Sequence, residues 1–508
     1  MESAMERTAN HVEKLDVLIV GAGISGLGAA YYLQREHPQR SYAILEARDS
    51  LGGTWDLFRY PGIRSDSDLH TFGYEFKPWR DEDAIASGDK IMAYLHETAA
   101  ENHIDGKIRY RHKVLGAAWS SAEARWTVDV ENLETQELIQ FSANWIFMAG
   151  GYYRYDQGYT PDFPGSERFS GQIIHPQHWP EDLDYTGKKV VVIGSGATAI
   201  TLIPAMADKA GHVTMLQRSP TYVMPLPAKD AFANTAQRVL GAKRGYALSR
   251  RKNILRQRAV YEFCQRFPRA ARKVIRHLNA TRLPDGYPVD EHFNPSYGPW
   301  DQRLCVVPDG DMFDVISRGK ADVVTDRIKT FTETGIELES GRHLDADIIV
   351  TATGLNIQLF GGVSVSIDGE PVDLSKSFAY KGMMLSGVPN LAFVFGYTNS
   401  SWTLKVGLIC EHFCRLLTHM DTHGYDTAVP FVSDPGMPSR PMVDFAAGYV
   451  QRAANVMPRQ SDGLTWGMSM NYFTDVKALR ESPVANPNLR FGAARRSAGA
   501  TDPVALDA

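Results

Sequence analysis

The sequence contains few cysteines: there are four in 508 residues, and the first of them is Cys264. So few cysteines are typical of a reducing compartment, so we expect a cytoplasmic protein without a disulfide framework. Cys410 and Cys414 are four residues apart in a segment that favours a helix, but no other Cys or His pair could complete a metal site with them. We therefore interpret both as buried thiols and predict no metal.

The sequence also lacks a long apolar run. No stretch reaches the roughly 18 apolar residues that a helix needs to cross a bilayer, so no membrane span is predicted. Residues Met1 to Lys14 are polar and mixed in charge, which is not typical of a secretory signal. The composition, 44% hydrophobic and 22% charged, is that of an ordinary globular protein. A chain of 508 residues exceeds one compact core, so two or three lobes are expected.

Basic residues are unevenly distributed along the chain. The net charge is −5, yet the stretch from Arg238 to Arg282 holds fourteen Lys or Arg and one acidic residue, Glu262. Apolar residues recur within it at helical spacing, which predicts amphipathic helices. Two interpretations remain open: a solvated face, and a face that touches anionic lipid as a peripheral membrane contact. A nucleic-acid role is not expected, because no aromatic platform for bases accompanies the charge.

Two glycine-rich turns follow short apolar strands. The run Leu15–Val20 leads into Gly21-Ala-Gly-Ile-Ser-Gly26, and a helical pattern and a second strand come next. The same order recurs where Val190–Ile193 leads into Gly194-Ser-Gly-Ala-Thr-Ala199. A glycine pattern placed between a strand and a helix is typical of a dinucleotide-binding β-α-β unit. The sequence therefore predicts an α/β fold with two Rossmann-like dinucleotide-binding lobes.

Each turn supplies candidate phosphate contacts. In the first, Gly21 allows the tight bend, Gly23 lets the backbone approach a pyrophosphate, and Gly26 allows close helix packing. Ser25 adds a hydroxyl donor, and the helix N-terminus presents free N–H groups and its positive dipole. In the second turn, where an alanine replaces the third glycine, the candidate contacts are Gly194, Ser195, Gly196, Ala197, Thr198 and Ala199.

The residue at the end of each unit indicates which nucleotide binds there. Glu46 ends the second strand 20 residues after Gly26, and a carboxylate there accepts hydrogen bonds from ribose hydroxyls and repels a 2′-phosphate. The comparable place in the second unit holds Arg218 and Ser219, and a cation beside a hydroxyl suits the 2′-phosphate of NADP. A plain surface position for Arg218 is the alternative. We predict FAD in the first lobe and NADPH in the second.

The order of the units predicts that the lobes are discontinuous. Asp347–Gly354 is typical of a buried strand that ends in a tight turn, where the chain returns towards the first lobe. The predicted division is an FAD-binding domain of residues 1–155 and 381–508, an NADP-binding domain of residues 156–228 and 296–380, and a basic helical insertion of residues 229–295.

Between the two units lies a twelve-residue segment, Phe169-Ser-Gly-Gln-Ile-Ile-His-Pro-Gln-His-Trp-Pro180. It resembles the signature F-x-G-x-x-x-H-x-x-x-W-P/D of the Baeyer–Villiger monooxygenases, which it matches at Phe169, Gly171, His175, Trp179 and Pro180. The resemblance extends from about Leu15 to Gly492. The stretches Gly52–Asp68 and Pro299–Cys305 are similar to the ethionamide-activating branch of that family.

The resemblance implies an FAD-dependent, NADPH-consuming enzyme that inserts one oxygen atom of O₂ beside a ketone carbonyl, giving an ester or lactone. Small apolar ketones are the implied substrates, and sulfides and thioamides are expected to be oxidised too. The resemblance implies that Arg303 is the catalytic cation and that Asp66 is its acidic partner. Arginine suits this role because it stays protonated. The remaining implied cofactor contacts are Gly53, Thr54, Trp55, Arg64, Ser65, Asp66 and the backbone of Val114.

The resemblance also implies that His175 is a linker between the lobes, so neither it nor His178 is placed among the catalytic residues. The substrate pocket is expected between the lobes. Its candidate aromatic lining consists of Trp402, Trp466, Tyr472 and Phe473.

Three other functions can be compared with this one. A pyridine-nucleotide disulfide reductase is excluded, because it needs a redox cysteine pair soon after the first turn and no cysteine precedes Cys264. An N- or S-oxidising flavin monooxygenase is the enzymatic alternative, although those enzymes usually have Tyr or Phe at the position of Trp179. A nucleotide-binding sensor without chemistry would not require Asp66 and Arg303.

Arg218 yields a prediction on cofactor choice. Many members of the resembled family have a lysine directly before the catalytic arginine, whereas this chain has Gln302, which leaves more of the discrimination to Arg218. We expect Arg218→Ala to raise the KM for NADPH about 10- to 100-fold, because a charge-assisted hydrogen bond to the 2′-phosphate is lost. The KM for NADH should change little. Steady-state kinetics with both cofactors tests this, and equal effects on the two would contradict it.

Overall fold

The structure, a computed structural model, describes residues 12–302, 304–443 and 448–493; the predicted catalytic Arg303 lies outside them. The strands are β1 (Glu13–Val20), β2 (Tyr42–Leu45), β3 (Ile108–Arg109), β4 (His112–Ser120), β5 (Arg125–Asn132), β6 (Leu138–Met148), β7 (Gln172–Ile174), β8 (Lys189–Ile193), β9 (His212–Gln217), β10 (Val223–Leu226), β11 (Cys305–Pro308), β12 (Ala321–Thr325), β13 (Ile328–Thr332), β14 (Gly335–Leu338), β15 (His343–Asp345), β16 (Ile348–Thr351), β17 (Ser364–Ile367), β18 (Glu370–Pro371), β19 (Ala379–Tyr380), β20 (Met384–Leu385), β21 (Leu391–Phe393), β22 (Thr427–Pro430), β23 (Arg440–Pro441), β24 (Arg459–Gln460) and β25 (Leu489–Gly492).

The helices are α1 (Ile24–Glu36), α2 (Thr54–Leu57), α3 (Leu69–Phe72), α4 (Gly88–Glu101), α5 (Ala197–Met206), α6 (Ala231–Leu240), α7 (Ala242–Arg266), α8 (Pro268–Ala280), α9 (Val289–His292), α10 (Asp311–Ser317), α11 (Trp402–His423), α12 (Gly448–Ala453), α13 (Gly463–Trp466) and α14 (Tyr472–Asp475). A π-helical turn, Val476–Glu481, follows α14. Of the helices in the described ranges, none is long and apolar enough to span a bilayer.

The first lobe is built around β1, which pairs in parallel with β2 on one side and β6 on the other. The side chains of β1 alternate between two apolar clusters. Val17 and Ile19 face the cluster that contains α1 and α11, whereas Leu18 and Val20 face the cluster that contains β4 to β6. Because both faces of the strand are covered, its last four residues are all buried and apolar.

The second lobe is a parallel sheet in the order β12-β9-β8-β16-β7. Its central strand β8 pairs in parallel with β9 and β16, as β1 does with its neighbours in the first lobe. The predicted α/β fold with two Rossmann-like lobes is confirmed. The strand predicted within Asp347–Gly354 is β16, which is buried throughout.

Two strands of the range predicted for the second lobe belong to the first sheet. Strands β17 and β18 fall within the range 296–380 predicted for the second lobe, yet β17 pairs in parallel with β4 of the first sheet and with β18. A strand must lie beside its hydrogen-bonding partner. We therefore propose that the first lobe resumes soon after Gly354, a residue whose φ of +116° forms the turn that follows β16.

The insertion contributes α6 to α9, and its longest helix, α7, is anchored on the first lobe. The buried Arg250 donates from Nη1 to the carbonyl oxygens of His70 (3.1 Å), Thr71 (3.0 Å) and Gly73 (2.8 Å), where α3 ends. These carbonyls have no partner within their helix, so the guanidinium satisfies them. Part of the basic character of the insertion is therefore structural.

A group of basic side chains binds the π-helical turn. Lys381 Nζ donates to the carbonyl oxygen of Ala478 (3.0 Å) and to Ser482 Oγ (2.8 Å). Arg415 Nη1 donates to the carbonyl oxygen of Leu479 (2.8 Å). The Lys381 amine forms no ion pair with a carboxylate of the described residues, and burial, with the nearby charge of Arg415, lowers its pKa to about 8.

This lysine predicts a pH dependence of stability. Its pKa is about 8 in the folded protein and about 10.4 in an unfolded chain, so the unfolded state binds more protons between these values. The stability that Lys381 contributes is therefore fully present above the unfolded pKa and is lost as the pH falls through 8. We expect the free energy of unfolding of the wild type relative to Lys381→Met to increase by about 2 kcal/mol from pH 7 to pH 10.

Denaturant titrations at several pH values measure this difference. Lys320→Met is the matched control, because Lys320 is exposed and its charge is solvated in both states. A difference for Lys381→Met that stays flat over the pH range would contradict the prediction.

Candidate cofactor and active site

The first glycine turn is packed so tightly that Gly21 and Gly26 cannot carry side chains. Gly21 has a φ of +101°, and a Cβ there would lie 2.8 Å from the carbonyl oxygen of Ala149, which follows β6. A Cβ on Gly26 would lie 1.9 Å from the carbonyl oxygen of Gly21. Helix α1 begins at Ile24, directly after Gly23, so its free N–H groups open at the carboxyl end of β1. This geometry fits a bound pyrophosphate.

Glu46 ties the turn to the end of β2. Its Oε2 accepts the backbone N–H of Ala22 (2.8 Å), and its Oε1 accepts that of Arg48 (3.0 Å). Burial raises the pKa of the carboxyl, and the two backbone hydrogen bonds and the charge of Arg48 oppose that rise. A carboxylate has about four acceptor positions, so each oxygen keeps one for a ribose hydroxyl.

Two of the candidate pocket aromatics lie elsewhere. Trp402 donates from Nε1 to Ser25 Oγ (2.9 Å), so it supports the first glycine turn instead of lining a substrate pocket. Trp466 is 6% exposed and packs edge-on against Tyr380 in the core of the first lobe. The hydroxyl hydrogen of Ser25 is not used in the bond to Trp402, so it remains available for a phosphate oxygen.

The second turn repeats the first with one difference. Gly194 has a φ of +132°, and a Cβ there would lie 2.3 Å from the carbonyl oxygen of Ala352, which follows β16. Gly196 faces open space, and α5 begins directly after it at Ala197. Ala199, in place of the third glycine, is fully buried, so this turn is wide enough for a methyl group. The geometry fits a second pyrophosphate, with Thr198 in the first turn of the helix.

Polar residues at the end of β9 border the second turn. Ser195 Oγ shares a hydrogen bond with Thr221 Oγ1 (2.7 Å) and lies 3.5 Å from the carbonyl oxygen of Ser219. Arg218 directly follows β9, is exposed, and makes no hydrogen bond or ion pair with another described residue. A solvated guanidinium at this edge fits the 2′-phosphate of NADP, because no ion pair within the protein has to be broken before it binds the phosphate.

The segment from Gly52 to Arg64 crosses from one lobe to the other. The N–H of Gly52 donates to the carbonyl oxygen of Ala22 in the first turn (3.0 Å). Tyr60 is buried in the apolar core of the second lobe. Arg64, an implied cofactor contact, forms an ion pair with Asp311 at the start of α10. The segment therefore lies against both lobes at the edge where both glycine turns open.

The other implied contacts on this segment shape it locally. Thr54 Oγ1 lies 3.5 Å from Tyr155 Oη, and the half-buried Trp55 packs edge-on against Phe72. Ser65 is buried; its hydroxyl donates to the carbonyl oxygen of Ser67 (2.8 Å) and accepts the Ser67 N–H (3.0 Å), which closes a turn around Asp66.

Val114 lies close to the predicted ribose site. Val114 of β4 pairs with Val130 of β5, just before a register shift between Val114 and Gly116. Two residues earlier, the N–H of His112 donates to the backbone carbonyl of Glu46 (2.9 Å). This register brings β4 beside the end of β2, where an adenosine next to Glu46 would lie.

His175 fastens the two chain segments that connect the lobes. Its Nε2 donates to the carbonyl oxygen of Gly354 (3.1 Å), and its Nδ1 accepts the N–H of Gln177 (3.2 Å). The ring lies against Gly158, where a Cβ would approach its Cε1 to 2.0 Å. Burial lowers its pKa, which favours the neutral ring that this bonding requires. The geometry fits the implied linker role and gives His175 no open face for proton transfer.

Gln177 is a linker residue that the sequence reasoning missed. It is 1% exposed and donates from Nε2 to the carbonyl oxygens of Arg154 (2.7 Å) and Tyr155 (2.8 Å). Its position inside the signature, two residues after His175, is the feature of the sequence that could have indicated this role. Asp311 was missed as well, because nothing in the sequence relates it to Arg64.

A buried polar network joins the segment of Asp66 to the insertion. Asp68 Oδ2 accepts Gln257 Nε2 (2.7 Å), and Asp68 Oδ1 accepts Asn253 Nδ2 (2.9 Å). Gln257 Oε1 in turn accepts the hydroxyl of Ser400 (2.9 Å). Asn253 and Gln257 belong to α7, so this helix of the insertion contacts the segment that carries Asp66.

A small cleft opens beside this network. One wall is α7, through Ile254, Gln257 and Tyr261, and the other comprises residues 399–400 and 470–473. The second wall contains Tyr472 and Phe473, two of the four candidate aromatics. Polar side chains, including those of Arg258, Asn399 and Asn471, line the cleft together with the apolar ones. Its residues Gln257 and Ser400 belong to the hydrogen-bonded network around Asp68.

This two-lobed dinucleotide-binding fold, with a linking segment across both turns, defines a class of flavin-dependent oxidoreductases. A family model described as flavin-binding monooxygenase-like matches residues 14–376. The chain belongs to that family, and the predicted flavin-dependent monooxygenase is thereby confirmed. It is 55% identical over 482 residues to the FAD-containing monooxygenase EthA of Mycobacterium tuberculosis, covering 94% of this chain and 98% of that protein.

Further relatives agree in length and fold. The probable FAD-binding monooxygenase AlmA of Acinetobacter baylyi is 51% identical over 480 residues, covering 94% of this chain and 96% of that protein. Among solved structures, an oxidised steroid monooxygenase bound to NADP superposes with a TM-score of 0.73 at 24% identity, over 94% of this chain and all of that one. An open cyclohexanone monooxygenase superposes with a TM-score of 0.73 at 19% identity, over 95% of this chain and 100% of that one. These two likenesses show the shared fold.

The difference between the two turns predicts opposite tolerance to a methyl group. In Gly26→Ala the new Cβ would lie 1.9 Å from a backbone oxygen that cannot move without opening the turn, so we expect flavin to be nearly absent from the purified protein. In the matched variant Ala199→Gly the second turn loses only a buried methyl group. That variant should keep its flavin. The flavin-to-protein ratio from visible absorbance checks both, and flavin retained by Gly26→Ala would contradict the assignment.

Proposed function

We propose that the chain binds FAD in the first lobe and NADPH in the second. The glycine turn and the buried Glu46 support FAD, since a carboxylate excludes a 2′-phosphate. The solvated Arg218 beside the second turn supports NADPH. The names of the relatives EthA and AlmA, which state that they contain or bind FAD, are consistent with this assignment.

The reaction that we propose is a Baeyer–Villiger oxygenation, in which one oxygen atom of O₂ is inserted beside a ketone carbonyl to give an ester or lactone. One observation carries the proposal: the linking segment contacts the first turn through Gly52 and the second lobe through Arg64. The residues of the two turns would hold FAD and NADPH, and this segment connects the two turns. FAD held at the first turn would supply the activation of O₂.

The protein contributes charge and exclusion of water. We propose that Arg303 holds a fixed positive charge beside the oxygen that attacks the carbonyl, and that Asp66 orients this guanidinium. Arg64 and Asp311 would keep the lobes in register around the reacting groups. The cleft at Tyr472 and Phe473 would receive the substrate, and the apolar surfaces of these residues, Ile254 and Met470 would favour a small ketone without charge.

Oxidation of sulfides and thioamides at the same site is the second activity that we propose, because the same cleft admits neutral sulfur compounds. The competing function is an N- or S-oxidising monooxygenase that forms no ester.

Product analysis separates these functions. The purified holoenzyme is incubated with NADPH and O₂ and either an alkyl or aryl methyl ketone or a matched methyl sulfide, and the products are identified by mass spectrometry. We expect an ester from the ketone, with one ¹⁸O atom when ¹⁸O₂ is supplied, and a sulfoxide from the sulfide. A sulfoxide without any ester over the whole pH range would reject the Baeyer–Villiger reaction.

A variant tests the proposed cation. Arg303→Ala should retain its flavin and lose ester formation by at least about 100-fold, since a stabilising charge at the reacting oxygen is removed. Arg327→Ala, at an exposed arginine of the second lobe, is the control and should retain activity. Full ester formation by Arg303→Ala would remove the arginine from the proposed mechanism.

A further inference from the structure

The insertion concentrates the exposed apolar side chains of the protein. Among the described residues, seventeen large apolar side chains are exposed, and nine of them lie between residues 232 and 274. Single exposed apolar side chains are ordinary, but a contiguous group marks an interaction surface. The nine, here called the apolar set, are Phe232, Val239, Leu240, Leu248, Leu255, Val260, Phe263, Phe267 and Val274.

The same helices carry cations without internal partners. Seven basic side chains of α6 to α8 are exposed and make no hydrogen bond or ion pair with another described residue. The only acidic residue of this stretch, Glu262, is held by Arg258 and Arg266. The unpaired charges that α6 to α8 themselves carry are therefore all positive. The seven, here called the basic set, are Arg238, Lys243, Arg244, Arg251, Arg256, Arg269 and Lys273.

The structure separates these cations from the structural ones. Arg250, Lys252 and Arg276 are bound to backbone carbonyls, Asp230 and Asp290, respectively. The basic set has no such role. On α7, Arg251 shares one side with two members of the apolar set: Leu248, Arg251 and Leu255 follow at spacings of three and four residues, which places them on one helical face. A partner for this face must offer both negative charge to the cations and an apolar region to the apolar side chains.

We propose that this face docks on a bilayer that contains anionic lipid. The basic set would lie at the headgroups, and the apolar set would enter the boundary between headgroups and acyl chains. A nucleic acid would satisfy the cations but would leave aliphatic residues such as Val239, at 73% exposure, and Leu255, at 51%, without a favourable contact. A bilayer satisfies both.

Docking would bring the flank of α7 that lines the cleft near the lipid surface. Ile254 and Tyr261 line the cleft, and each is turned by about 100° around α7 from a member of the apolar set, Leu255 or Val260. On the opposite wall, Phe473 is 40% exposed. We infer that apolar substrates enter from the bilayer. This entry route rests on the proposed function, whereas the docking itself does not.

Vesicle binding tests the docking without any turnover. Full-length holoenzyme is mixed with unilamellar vesicles of phosphatidylcholine alone, or with about one third phosphatidylglycerol, and bound protein is measured by co-sedimentation. We expect binding to the anionic vesicles that weakens as salt is raised, and little binding to the neutral ones. Absence of binding to anionic vesicles at low salt would overturn the proposal.

Paired variants identify the surface. Arg251→Gln with Arg256→Gln should weaken vesicle binding about 25-fold, at roughly fivefold for each charge near an anionic surface. The control removes two exposed lysines of the second lobe, Lys188→Gln with Lys320→Gln, for the same change of net charge. Equal weakening by both pairs would show a general charge effect and would overturn the docking face.

The apolar contribution has its own control. Leu255→Gln with Phe263→Gln should weaken binding about tenfold or more, because two side chains no longer leave water. Leu138→Gln, at a residue of the first lobe that is 68% exposed, should have no effect. Tighter binding of the chain to a short duplex DNA than to the vesicles at the same salt, lost in the Arg251 and Arg256 pair, would overturn the membrane in favour of a nucleic acid.

The entry route is tested by comparing two substrates. For a long-chain ketone dissolved in anionic vesicles, the Arg251 and Arg256 pair should lower kcat/KM by at least about tenfold, in parallel with its loss of binding. For a short water-soluble ketone the same variant should match the wild type. Equal rates on the vesicle-borne ketone would overturn the entry route, whereas a wild type inactive on both ketones would instead contradict the proposed function.

Discussion

Contact between a glycine and the carbonyl that follows a neighbouring strand sets the geometry of both nucleotide sites. Gly21 approaches Ala149, and Gly194 approaches Ala352, so closely that neither could carry a Cβ. In each lobe this contact holds the turn at the carboxyl end of the central parallel strand, so that the following helix begins with its N–H groups directed outward. The phosphate sites, the linking segment and the cleft are all arranged around these two turns.

The lobes are held together by two different kinds of contact. Near the glycine turns, the ion pair of Arg64 and Asp311 joins side chains whose charges are only partly exposed to water. On the connecting segments, His175 and Gln177 donate to main-chain carbonyls, which fixes the path of the chain independently of side-chain charge. The side chains of the signature segment thus form hydrogen bonds to main-chain carbonyls of the segments that connect the lobes. This role of His175 involves no chemical step.

The insertion combines two uses of positive charge. Arg250 stabilises the end of α3 by binding three carbonyls, and Asn253 and Gln257 hold Asp68 beside the segment of Asp66. The same helix presents unpaired cations and apolar side chains to its surroundings. A helix that is anchored so firmly on the inner side can support a binding surface on the outer side.

The sequence by itself determined the two lobes and their glycine turns, because strand, turn and helix are local patterns within some thirty residues. It also indicated the nucleotide at each turn, since Glu46 and Arg218 lie at fixed distances from the glycines. Only the tertiary structure decided that Trp402 supports Ser25, that Arg64 meets Asp311, and that α7 forms a wall of the cleft. These contacts join residues far apart in the chain, and their geometry depends on how the sheets and helices pack, which no local pattern records.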